Sequence, residues 1–155
     1  MLLNHSYNKI KFLFLILCVL PLFACLGEDA LTENQLLIET QAGESHRFNL
    51  ELAITQEQQI QGLMNRTELA EDSGMLFYFN EESERAFWMK NTLIPLDIIF
   101  IKADGTIHHI HENAIPHDLT RIISNGAVGS VLEVNGGLAS KLNIRKGDKV
   151  KSPLF

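Results

Sequence analysis

Trp88, Lys90, Asn91 and Asp97 lie within ten positions of one another, and Arg66 precedes them by a single predicted element. A cation at Arg66 or Lys90 can hold an anionic group, and Asn91 can add amide hydrogen bonds. In an extended strand Trp88 and Lys90 point to one side, forming an aromatic-plus-cation wall. Asp97 interrupts the apolar run Leu96-Asp97-Ile98-Ile99-Phe100-Ile101. A carboxylate there is costly unless it is paired, so Lys90, Arg66 or backbone donors are its expected partners. These residues therefore predict either an ion pair pinning two strands or a polar ligand pocket near Lys90 and Asp97.

A second group is metal-like. His108, His109, His111 and Glu112 precede His117 and Asp118 within a dozen residues, and His109 and His111 share one strand face at i, i+2. His109, His111 and His117 are the candidate ligands of a metal-binding protein or metal-dependent enzyme built on the 108–117 region. No HExxH or fixed zinc spacing accompanies them, so a polar strand face explains them as well. Met64, Met75 and Met89 offer thioethers for Cu(I), or ordinary core filling. Catalytic signatures are missing: there is no Gly-x-Ser-x-Gly elbow and no phosphate-cradling loop. Glu112 and Glu133 can act as paired carboxylates only if the fold brings them together. The balance leans against an enzyme, and no cofactor is required by any motif.

The elements that must position these groups are mostly strands. Leu36–Thr40 and His46–Leu52 read as a hairpin around Gly43-Glu44, with Phe48, Leu50 and Leu52 on one face. Thr55-Gln56-Glu57-Gln58 matches a capping box, which predicts a helix with Ile60, Leu63 and Met64 as its buried stripe. Strands follow at Met75–Phe79, Arg85–Asn91 and Leu96–Ile101, the last apolar enough to be buried on both faces. Asp104-Gly105 turns into Thr106–Glu112. Ala127–Val134 adds a strand, Gly136–Leu142 is a short helix at best, and Lys149–Lys151 closes the chain. The expected fold is α+β, mainly β: a compact, mostly antiparallel curled sheet or small barrel with one or two short helices.

The N-terminus sets the location. Lys9 and Lys11 precede an apolar stretch from Phe12 to Phe23, 12 residues long, which is short of the ~20 needed to span a bilayer. It reads as a signal peptide. Leu22-Phe23-Ala24-Cys25 fits a bacterial lipobox with Cys25 as the lipidated residue, despite the unusual Phe23. Residues 1–24 are then a lipoprotein signal peptide, 25–34 a tether, and 35–155 a single domain. The membrane is thereby an expected partner through the lipid on Cys25, in a periplasm-facing envelope protein. Leu26 lacks the aspartate that favours inner-membrane retention, so an outer membrane is favoured if the cell is Gram-negative. Losing Lys9 and Lys11 takes the formal charge from −6 to −8. That acid excess argues against nucleic acid, and leaves a small anionic ligand or another envelope protein as further partners. Cys18 leaves with the leader and Cys25 is acylated, so the domain has no thiol for a disulfide or a nucleophile.

Three segments carry a resemblance: Gly74-Met75-Leu76-Phe77, then Phe87-Trp88-Met89-Lys90-Asn91-Thr92, then Pro95-Leu96-Asp97. The stretch from about Gln61 to Val150 resembles the bacterial DUF192 family, also known as UPF0127. The resemblance implies that Arg66, Lys90, Asn91 and Asp97 belong to a shared motif. It implies no reaction, because none is established for the family. A lipid-anchored binding or accessory module is the expectation that follows.

Overall fold

The structure is a computed structural model describing residues 30–155. The leader, Cys25 and most of the tether lie outside the described residues. Seven strands form one sheet: β1 (Gln35–Glu39), β2 (Ser45–Ala53), β3 (Ser73–Phe87), β4 (Leu96–Ile101), β5 (Ile107–Ala114), β6 (Ile122–Asn135) and β7 (Lys149–Lys151). Their order is β5-β4-β6-β3-β2-β1-β7. All pairings are antiparallel except β2 with β3, which the crossover through helix α1 (Gln56–Gln61) makes parallel. The sheet curls into a half-barrel whose two outer strands meet at one end. There Thr106 bridges Lys149, Ile107 donates its N–H to the Asp148 carbonyl and Val150 donates to that of Gly105. The expected mainly β, curled architecture is what the chain adopts, with α2 (Leu138–Lys141) as its second short helix.

The middle of the sheet, at β4 and the adjoining parts of β3 and β6, is buried on both sides, which explains the unbroken apolar runs there. Leu76, Ile99, Ile101, Leu132 and Val134 point into one core with Leu36, Phe48 and Leu138. Their alternating neighbours Met75, Phe77, Ile98, Phe100 and Val131 form a second core on the other face, closed by Leu63, Met89 and Ile122. Every residue of β4 is buried.

Two local expectations change. β3 is one strand of 15 residues where two were expected. Its register against β6 slips between Tyr78 and Ser83, so an irregular stretch joins the two halves without ending the ladder. Helix α1 has its capping box, with Thr55 Oγ1 accepting from the Gln58 backbone at 3.3 Å and Gln58 Oε1 accepting from the Thr55 backbone at 2.9 Å. It stops at Gly62, however, before a buried stripe can develop, leaving Ile60 exposed while Leu63 packs inward from the following turn.

Candidate functional site

Asp97 is fully buried and both of its carboxylate oxygens are taken. Oδ1 accepts the backbone N–H of Asn113 and of Gly137, and Oδ2 accepts that of Ala139, each at 2.8 Å. The last two belong to the start of α2, whose N-cap Gly137 has no side chain to offer. Asp97 thus caps α2 from across the core and ties β5 to it. The expected cation is not its partner. Among the described residues no lysine or arginine pairs with Asp97, since Arg66 binds Glu51 at 2.5 Å on the surface and the Lys90 ammonium lies 5.4 Å from the Trp88 ring centre. The backbone alternative prevails because three preorganised N–H groups satisfy a carboxylate without burying a second charge.

The remaining motif residues lie at the surface. β3 ends at Phe87, so Trp88, Lys90 and Asn91 occupy a turn in which Asn91 adopts a left-handed φ of 54°. The Asn91 carbonyl accepts from the Asn65 backbone at 2.8 Å, and Met89 N–H donates to the Asp118 carbonyl at 2.8 Å. The aromatic-plus-cation pair of Trp88 and Lys90 forms, but Arg66 and Asp97 do not join it in one pocket.

His109 and His111 do share a face. With Glu112, Asp118 and Arg121 they line a groove of about 470 Å³. His109 stacks on the buried Phe100 ring at 5.8 Å and 10°. Its pKa is lowered, first by burial and then by His111, His108 and Lys146. His117, in a left-handed turn, is not among the residues lining the groove. Among the described residues no three His, Cys, Asp or Glu side chains converge as a metal site. Met75 and Met89 are core residues, and Met64 contributes to a cavity wall.

That cavity, about 500 Å³, opens between α1, β3 and β6 on the second-core side of the sheet. Phe77, Phe79, Phe87 and Trp88 line it, with Leu63 and Met64 from the α1 turn. Phe77 meets Phe87 edge-on at 5.0 Å, a preferred aromatic geometry that fixes the wall. The Arg85 guanidinium lies 3.8 Å above the Phe79 ring and donates to the Glu81 carbonyl. Arg121 also lines the cavity, and forms no hydrogen bond or ion pair among the described residues.

Glu133 is the cavity's distinctive group. It lies on β6 between Met75 of β3 and Ile98 of β4, and is 5 % exposed. Three carboxylates of the described chain are buried: Asp97, Asp148 and Glu133. Asp148 accepts from the backbone of Gln41 at 3.0 Å and of Arg145 at 2.7 Å. Of these three, Glu133 alone has no hydrogen-bonding or charged partner among the described residues. Burial without compensation pushes its carboxyl up to about 8. Gly62 lies beside it: a methyl there would press on Phe77 at 3.3 Å and reach ordinary contact with Glu133 Oε2 at 4.0 Å, and the glycine's φ of 47° disfavours other residues. Glu112 lies in the other groove, so the two glutamates are not a catalytic pair.

From sequence alone, Glu133 is a candidate only for that pairing. The signal was the lone carboxylate in Val131-Leu132-Glu133-Val134, the same pattern that drew attention to Asp97. Sequence does not distinguish an acid met by backbone donors from one met by none.

The fold and its shared motif define a family domain. The DUF192 profile, described as an uncharacterized ACR, matches residues 37–152, and the chain belongs to that family. A crystal structure from Sinorhizobium meliloti 1021, of a protein described as a candidate transcription regulator, is similar at 42 % identity and a TM-score of 0.78, over 83 % of this chain and 100 % of that one. A protein of unknown function from Novosphingobium aromaticivorans DSM 12444 is similar at 45 % identity and a TM-score of 0.73, over 76 % of this chain and 83 % of that one. No curated protein matches the chain.

Proposed function

We propose that this chain is a small-molecule-binding module of the bacterial envelope, held to a membrane by lipid on Cys25. One observation carries the binding reading: Glu133 stands unpartnered in an aromatic-walled cavity while the other two buried carboxylates are satisfied by backbone donors. A buried carboxyl without a donor costs folding stability, so its position is best explained by a polar group that arrives from outside. The ligand has an apolar body for the rings and one polar group that reaches Glu133. The binding centre is therefore the Glu133 cavity, with Trp88 at its edge, and not the Asp97 carboxylate. The lipobox and apolar leader support the anchor. The description of the Sinorhizobium relative as a transcription regulator is not carried over, because the acid excess disfavours nucleic acid as a partner.

The test uses a built-in reporter. Trp88 is the chain's single tryptophan and is half exposed on the cavity. Molecules that co-purify with the protein, identified by native mass spectrometry, should shift Trp88 emission saturably when added back to stripped protein. Binding that is unchanged in a Phe87→Ala variant would place the ligand elsewhere and defeat the proposal.

A further inference from the structure

We propose that the ligand of this cavity carries a protonated amine, with its ammonium lodged against the Glu133 carboxylate and its apolar body between Phe77, Phe87 and Trp88. The inference rests on the binding reading above and names its chemical class. Two observations favour a cation. The Glu133 carboxyl has no donor of its own, and an ammonium supplies both the missing hydrogen bonds and the counter-charge that makes ionisation affordable in a low-dielectric cavity. Aromatic faces of this region accept cations, Arg85 over Phe79 at 3.8 Å and Lys90 near Trp88 at 5.4 Å, and Phe77 and Phe87 carry none among the described residues. The wall nearest α1 is neutral and favours neither sign: Gln56, Gln59 and Gln61 line it, and Glu57 is not among the lining residues.

The other charges on the wall leave one net positive charge, which an ionised Glu133 offsets. Glu84, Arg85 and Arg121 are the remaining ionic groups on the cavity wall, and β4 contributes none. Arg85 stacks on Phe79 and donates through Nη2 to the Glu81 carbonyl, while its buried Nε has no acceptor among the described residues. Arg121 is the group that would attract an anion instead, which makes the rival outcome specific.

The experiment compares three probes of one shape: 2-phenylethylammonium, 2-phenylethanol and phenylacetate. Trp88 fluorescence is followed on the full-length protein in detergent micelles, with micelles alone as the blank. The ammonium should bind most tightly. Because it needs ionised Glu133, its affinity should rise roughly 20-fold from about pH 6.5 to 8.5 if the carboxyl titrates near the value given above, while the probe's own amine stays protonated. Glu133→Gln should remove that rise and weaken the ammonium at least ~10-fold at the upper pH. An affinity no better than that of the alcohol, or one falling with pH, overturns the ammonium assignment. Tight phenylacetate binding lost in Arg121→Ala also overturns it, yet leaves the cavity as a binding site. Failure of all three probes to perturb Trp88 counts against both readings. The pH series needs no variant, so the test stands even if Glu133→Gln folds poorly.

Discussion

Replacing Glu133 by glutamine should stabilise the ligand-free protein, and increasingly so as pH rises. Glu133 is 5 % exposed and its carboxyl is lifted from an ordinary 4.5 to about 8 by burial alone. Between those values the folded protein holds a proton that the unfolded chain has released, so stability falls as pH rises. The contribution is fully present below pH 4.5 and lost as pH passes through about 8. Each pH unit in that window costs ~1.4 kcal/mol, which puts the total at no more than ~5 kcal/mol. Water entering the open cavity lowers that figure, so ~2–3 kcal/mol is the working expectation. Glutamine has nearly the same shape and does not titrate. The assay is urea unfolding of both proteins at pH 5 and pH 8, read as a difference of differences so that other titrating groups cancel. At pH 5 both side chains are neutral and the proteins should be within ~1 kcal/mol. At pH 8 the variant should be the more stable. A difference that does not change with pH would mean that Glu133 is already ionised and partnered, and would remove the argument that it awaits a ligand.

Asp97→Asn should behave in the opposite way, destabilising by ~2–5 kcal/mol, because an amide NH2 must then face a buried backbone N–H that the carboxylate satisfied; a loss below ~1 kcal/mol in the same unfolding assay would refute the α2-capping role. Cys25→Ser should abolish incorporation of labelled fatty acid and accumulate precursor, and a variant still processed and membrane-bound would end the lipoprotein proposal. Titration calorimetry of Zn²⁺ into tag-free protein should show no sub-micromolar binding dependent on His109 and His111, since among the described residues no third ligand converges on them; tight binding lost in the double alanine variant would overturn that reading of the groove.

Much of the fold was legible because its signals are local. The alternation in Phe48, Leu50 and Leu52, the Thr55–Gln58 capping box and the wholly apolar β4 each specify a conformation within a few residues, and each forms. The ends of elements were less legible. Nothing in Tyr78 to Ser83 announces that β3 continues through its irregular stretch, because the partner that holds it there is β6, some fifty residues away. Gly74 illustrates the same limit: a methyl on it would come within 2.8 Å of the Glu133 carbonyl, so its place in the signature reflects a neighbour that the local sequence does not reveal.

The site was half legible for a related reason. Lys90, Asn91 and Asp97 attract notice as polar groups beside apolar ones, and sequence spacing suggests that they belong together. Chain geometry separates them. Asp97 enters the core with the α2 terminus, whereas Lys90 and Asn91 turn outward after Phe87. What singles out Glu133 is an absence of donors, and that is a property of three strands and a helix turn packed together. A carboxylate met by three N–H groups is a completed structural device. One met by none, facing an open aromatic cavity, leaves the folded protein with an unfilled electrostatic demand that binding can satisfy. The stability of Glu133→Gln without ligand and its loss of amine affinity should therefore appear together: the change that strengthens the fold is the one that removes the proposed function.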